Sequence, residues 1–162
     1  IASYDANWKE LQLAVWNNKL PVICSVGLSN DEEVWKIVKV FRGRQLTLLH
    51  CVSEYPANPN QANLPRLRDL VSLSKGRAKI GYSDHTVSAE VMRFVITEYF
   101  PAAVEFHLDC NGGGAEAPHS WLPHKIRPLI ELSRSNNPWS SWDTNQRNWK
   151  RDSDGYRLIK KQ

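Results

Sequence analysis

The sequence predicts an α/β fold on a parallel sheet of about five strands. Three observations carry this. From Ile1 to Arg134, short runs rich in Val, Ile and Leu alternate with amphipathic stretches, which is the pattern of repeated βα units. The runs are nearly continuous in apolar residues, as strands buried on both faces are. Polar residues able to do chemistry cluster just after each run, at the edge where parallel α/β folds place their sites.

Taken in order, the strands are expected at Ile1–Ser3, Pro21–Gly27, Leu46–Val52, Ala78–Ser83 and Ala103–Leu108. Helices are expected around Trp8–Asn17, Asn30–Phe41, Leu64–Ser74, Ser88–Tyr99 and Pro123–Ser133. The second helix has the firmest local signals. Ser29 followed by Glu32 reads as a capping box, Val34, Ile37, Val38 and Phe41 share one helical face, and Gly43 is a stop. Five such strands suit either a doubly wound sheet or part of a barrel, and neither a dinucleotide fingerprint nor a Walker loop is present.

Bulk properties narrow the function. The 162 residues are 41% apolar, and no apolar run approaches the roughly 20 residues of a membrane span, so a soluble domain with no membrane partner is expected. The chain opens on Ile1-Ala2-Ser3-Tyr4-Asp5, with no Met, basic leader or small-residue cleavage site, so an opening inside a domain is expected. Cys24, Cys51 and Cys110 form no CxxC and are odd in number; this argues against a disulfide framework and for the cytoplasm. The net charge of +4 comes from the tail: residues 134–162 carry seven Lys/Arg against three Asp/Glu, and the remainder fourteen of each. A nucleic-acid partner is therefore not expected. The tail itself, with Trp139, Trp142 and Trp149 and a basic end, is not a βα unit, and its Trp content predicts that it packs on something.

His85 and His107 stand one βα repeat apart, each at the end of a consecutive strand. Adjacent strands lie about 4.8 Å apart, so the two imidazoles can converge on one ion. Asp5 and Glu116 are carboxylates able to complete the shell of a hard divalent cation such as manganese. A lone His in a loop is ordinarily a hydrogen-bonded structural residue; the shared register sets this pair apart. Ser3, Ser25, Ser53 and Ser83 recur at the same edge, where they either cradle a phosphate or merely begin turns. Gly112-Gly113-Gly114 lacks a following Lys-Ser/Thr and reads as a flexible loop. His50 and Cys51 point to opposite faces of a strand and do not pair. His119 and His124, beside prolines, read as loop residues rather than ligands.

Leu48-Leu49-His50-Cys51-Val52-Ser53-Glu54-Tyr55-Pro56 and Gly81-Tyr82-Ser83-Asp84-His85-Thr86 resemble segments of the N-acetylneuraminate (sialic acid) synthase family, which includes legionaminic, pseudaminic and spore-coat polysaccharide synthases. Ile1-Ala2-Ser3, Pro21 to Gly27 and Val104-Glu105-Phe106-His107 extend the resemblance over about residues 1–134. It implies an incomplete (β/α)8, TIM-barrel-like fold of about five parallel strands. The implied activity condenses phosphoenolpyruvate with an N-acetylated aldose such as N-acetylmannosamine and releases phosphate. His85 and His107 would hold the metal, Mn2+ or Mg2+, which would act as a Lewis acid on the sugar aldehyde. Ser3, Ser25, Ser53 and Ser83 would line the phosphoenolpyruvate site, with Tyr55 close to the sugar. Asp5, Tyr55 and Glu116 would form the catalytic set.

The departures matter as well. Gly114-Ala115-Glu116-Ala117-Pro118-His119-Ser120 stands where the family has Gly-Pro-Asp-His-x-x-Ser, so Glu116 replaces the Asp. The family's first strands have no counterpart, and residues 135–162 do not resemble its C-terminal antifreeze-like domain. An open half-barrel exposes an apolar inner face and two sheet edges, so self-association into a homo-oligomer is expected. The rivals are a fragment or scaffold that keeps the fold without turnover, and a different (β/α)8 phosphoenolpyruvate or pyruvate aldolase. A Schiff-base version of the latter needs an inward Lys at a strand end, and Lys79 sits at a strand start.

Overall fold

A computed structural model describes residues 1–135 together with two short strands at 149–152 and 155–158. Five strands, β1 (Val22–Ser25), β2 (Leu46–His50), β3 (Lys79–Asp84), β4 (Val104–Leu108) and β5 (Ser120–Trp121), lie side by side in chain order, every pair parallel. That order decides between the two architectures the spacing allows. A doubly wound sheet reverses direction at a switch point, whereas consecutive parallel strands curl in one sense as barrel strands do. The result is a five-stranded half-barrel with helices on its outer side.

Of the five helices, α2 (Asp31–Val40), α3 (Arg66–Ser74) and α4 (Ala89–Phe94) fill the first three crossovers, while α1 (Lys9–Asn17) precedes β1 and α5 (Pro123–Ser135) follows β5. The capping box of α2 falls one residue later than Ser29 and Glu32. The Asn30 side chain accepts from the Glu33 N–H at 3.0 Å, and Glu33 accepts in return from the Asn30 N–H at 2.8 Å. An Asn carboxamide serves as well as a Ser hydroxyl at this position, and the chain uses the cap nearest the apolar face. The expected strand at Ile1–Ser3 is only partly realised. The Ile1 nitrogen donates to the Ile23 carbonyl and the Ser25 N–H to the Ile1 carbonyl, as beside a strand, but Ser3–Asp5 then winds into a 3-10 turn.

The alternation of each strand sorts its side chains. Val22, Cys24, Leu46 and Leu48 face outward onto Val34, Ile37, Val38 and Phe41 of α2 and its C-terminal cap and Leu70 of α3. A second apolar cluster joins Tyr82, Met92, Val95, Ile96, Trp121, Ile126 and Leu129. The intervening positions face the inside of the curl, where Ile23 is 50% exposed. Gly81 marks the tightest approach between strands. A Cβ there would lie 2.5 Å from Leu49 Cδ2 and 2.6 Å from the Ala103 carbonyl oxygen, so no larger residue fits without displacing a neighbour.

In the tail, Trp149–Asp152 pairs antiparallel with Gly155–Leu158. The expectation that the tail packs on something, this domain or a neighbour, falls outside the described residues. No described helix is long and apolar enough to cross a membrane.

Candidate active site

The ends of β1 to β4 open on a cavity of about 450 Å³ on the inner side of the sheet. It brings together Ser3, Ser25, Tyr55, Ser83, His85 and His107, all six singled out from the sequence, along with Cys51 and Glu105. Asp5, Ser53 and Glu116 do not line it. Asp5 sits half-buried in the Ser3–Asp5 turn, Ser53 is half-buried just past β2, and Glu116 reaches the cavity through His107.

His85 is held by its own strand exit. Its Nδ1 lies 2.6 Å from the Val52 carbonyl oxygen, and a carbonyl only accepts, so Nδ1 carries the proton and Nε2 the lone pair. The ring is 4% exposed, and burial pushes its pKa below the ordinary imidazole value; the Val52 bond opposes that fall and the neighbouring His107 adds to it. His85 is therefore a neutral imidazole with a fixed tautomer, the form that binds a cation. Its Nε2 is 3.4 Å from Ser83 Oγ, and Ser83 in turn donates to Glu105 Oε1 at 2.8 Å. Ser83 thus has its one proton committed to Glu105, whereas Ser3 accepts from the Gly27 N–H at 3.2 Å and shares a hydrogen bond with Cys51 Sγ at 3.1 Å in which either group can donate.

Four rings meet at this edge. The His85 and His107 centroids are 5.4 Å apart. Tyr55 stands against three imidazoles, at 4.2 Å from His85, 5.7 Å from His107 and 5.1 Å from His119. Burial also raises the Tyr55 pKa, so it stays a phenol. His107 Nδ1 is 3.2 Å from Glu116 Oε2, and the His107 and His119 rings are 4.8 Å apart.

Two residues here escaped sequence reasoning. Glu105 shares the inner face of β4 with His107, two residues on, and that alternation was the available signal. His119, set aside as a loop residue, ends a 3-10 turn at Ala117–His119 that folds back over His107. Asp109 makes the fold-back possible by accepting the N–H groups of Asn111, Gly112 and Gly114, each at 2.9 Å, which also holds its pKa below the usual carboxylate value. The glycine run expected to be a flexible loop is thus pinned to one carboxylate. His124, by contrast, is exposed on α5.

Beneath the site, Asp84 is fully buried and accepts five hydrogen bonds. They come from the Tyr82 hydroxyl (3.3 Å), the Thr86 N–H (3.2 Å) and hydroxyl (2.7 Å), the Val87 N–H (3.1 Å) and the Trp121 indole N–H (2.8 Å). This ties the residue before His85 to β5, immediately after His119.

His85 and His50 both have pKa values lowered by burial. A depressed imidazole gives stability that is fully present above about pH 6.5, the unfolded value, and is lost as pH falls through the lower folded-state value. The urea midpoint is expected to fall steadily from pH 7 to pH 5, and less steeply in a His50→Gln, His85→Gln double variant.

Comparisons with known proteins bear on the family and the fold. The NeuB family model matches residues 1–139. An uncharacterized protein of Methanocaldococcus jannaschii is 33% identical over 140 residues, 83% of this chain and 40% of the relative. An N,N'-diacetyllegionaminic acid synthase of Legionella pneumophila is 37% identical over 127 residues, 73% of this chain and 35% of the relative. The crystal structure of an N-acetylneuraminic acid (sialic acid) synthetase from Leptospira borgpetersenii, in complex with citrate, superposes with a TM-score of 0.76 at 29% identity, over 90% of this chain and 52% of that one. The chain thus spans about 40% or less of the length of these curated relatives. With a family match over most of its length, a parallel half-barrel in sequential order and a shared fold with a sialic acid synthetase, the chain belongs to the NeuB family.

Proposed function

We propose that this chain provides the strand ends at which phosphoenolpyruvate condenses with an N-acetylated aldose such as N-acetylmannosamine, with release of phosphate. The observation that carries the reading is the cavity where His85 and His107 face each other beside Ser3, Ser25 and Ser83. The names of the legionaminic acid synthase and sialic acid synthetase relatives support it. Both are nonulosonic acid producers, and the chain covers only part of each.

The residues present fit a divalent metal: His85 is neutral, with its second nitrogen fixed on a backbone carbonyl, the usual outer support of a metal-held imidazole. His107, with His85 beside it, would hold the cation, and imidazole donors suit manganese better than magnesium. Once bound, the cation supplies Lewis acidity toward the sugar carbonyl. The rest falls to the chain. Ser3 and Ser25 offer hydroxyls to the phosphate, joined by Ser53 and by Ser83 once its bond to Glu105 opens. Tyr55 walls the sugar side as a neutral phenol, and Asp5 and Glu116 supply carboxylates that orient a water or hold a proton. Its three unpaired cysteines support a reducing compartment, the cytoplasm. Self-association would cover the inner face where Ile23 lies exposed; a monomer in sedimentation, stable and well folded, would oppose that part.

The test is phosphate release from phosphoenolpyruvate. Release is expected only with manganese and N-acetylmannosamine both present. Binding without release would favour the rival, a catalytically incomplete half-barrel, which the short span relative to the relatives supports.

A further inference from the structure

We infer that Cys51 is a positioning residue for the anion end of the cavity: its thiol holds the Ser3 hydroxyl so that the one serine proton faces an incoming phosphate oxygen. This role rests on the reading that Ser3 offers its hydroxyl to the phosphate of phosphoenolpyruvate, and it adds the group that sets that hydroxyl. Cys51 is 3% exposed and yet lines the cavity, a buried nucleophile that the proposed chemistry leaves without a task. Its Sγ lies 3.1 Å from Ser3 Oγ and 3.9 Å from Ser53 Oγ, so one sulfur stands between hydroxyls carried by two separate segments.

The lone pairs decide the direction. A serine hydroxyl has two acceptor sites and one proton. The Gly27 N–H donates into one acceptor site of Ser3 at 3.2 Å. The contact with the thiol can run either way; when Cys51 donates, the second acceptor site is filled and the Ser3 proton is left for the ligand. A thiol is a weak donor and a weak acceptor, so turning this bond round costs little. A carboxylate in its place would keep the proton, as Glu105 keeps that of Ser83 at 2.8 Å. The backbone sets the fit. A Cβ on Gly27 would stand 2.6 Å from Cys51 Sγ and 3.0 Å from Ser53 Oγ, so the sulfur occupies the room that a side chain at position 27 would take. Among the described residues, removal of the thiol leaves Ser3 Oγ with one partner, the Gly27 N–H, and a hydroxyl free to turn.

Calorimetric titration of the whole chain with phosphoenolpyruvate and, separately, with inorganic phosphate tests this through a double-mutant cycle. Cys51→Ala is expected to weaken phosphoenolpyruvate binding about tenfold, the worth of one well-placed hydrogen bond, and Ser3→Ala by a similar factor. Cys51→Ser restores a donor and should recover most of the loss. In the Ser3→Ala background, Cys51→Ala should cost less than about twofold, because the thiol then has no hydroxyl to set, whereas a purely structural cysteine would cost the same in both backgrounds. Cys110→Ser, at the exposed cysteine, should change nothing. Circular dichroism and the urea midpoint check that each variant is folded. A Cys51→Ala protein that binds as the wild type does, a Cys51→Ser protein as weak as Cys51→Ala, or losses that multiply across the cycle would overturn the role of Cys51 and leave the synthase reading standing. Coupling of Cys51 to Ser3 seen with inorganic phosphate, while phosphoenolpyruvate does not bind, would keep the role of Cys51 and remove the synthase reading. A folded wild type that binds neither anion overturns both.

Discussion

Asp84→Ala is expected to destabilise the fold by about 3–5 kcal/mol, the range for removing one partner from a buried charged network. All five of its partners are donors, and its carboxylate has no contact with solvent. Truncation leaves the Tyr82 hydroxyl and the Trp121 indole N–H without an acceptor inside the core. Asp84→Asn keeps the shape but turns one NH2 toward donors on one side, and about 2 kcal/mol is expected. Against a total stability of about 5–15 kcal/mol, the alanine change is large. Urea denaturation measures it. A loss below about 1 kcal/mol would mean that the network does not hold β3 to β5. The functional consequence follows from the chain path, since the same carboxylate fixes His85 on one side and the end of the loop bearing Glu116 and His119 on the other.

His107→Ala is expected to lower manganese affinity and phosphate release together, each by at least about 100-fold. Loss of an outer partner of a metal ligand already costs about 10–100-fold, and loss of a ligand costs more. His107 is the ring common to both groupings: it faces His85 at 5.4 Å and bonds to Glu116 at 3.2 Å. Its side chain is one-third exposed, so its removal leaves little cavity and stability should change by less than about 1 kcal/mol. This separates loss of function from loss of fold. A variant that keeps manganese affinity while losing release would assign His107 to substrate rather than metal.

β1 to β4 were legible because each is a short run buried on the helix side, and four of the five helices because they carry a continuous apolar stripe. The exception is α4, which, expected to run to Tyr99, stops at Phe94 and continues as a wider π turn over Val95–Tyr99. β5 was not legible. Two residues, Ser120 and Trp121, carry no periodicity, and they pair with β4 because the Trp121 ring finds Asp84, 37 positions earlier. Ser3, Ser25, Ser83, His85 and His107 could be placed at one edge because the exit of a parallel strand is fixed by the topology. His119 could not. Its approach to His107 depends on Asp109 catching three backbone N–H groups, a loop geometry that neither composition nor spacing encodes.

The central claim is that these strand ends form one metal-dependent phosphoenolpyruvate site, and linkage between the two ligands tests it most directly. Phosphoenolpyruvate affinity is to be measured with and without manganese, and manganese affinity with and without phosphoenolpyruvate. The account predicts that each raises the affinity for the other by the same factor, at least about tenfold, since coupling between sites is reciprocal. Phosphoenolpyruvate binding that is indifferent to manganese, or absent altogether, would contradict it.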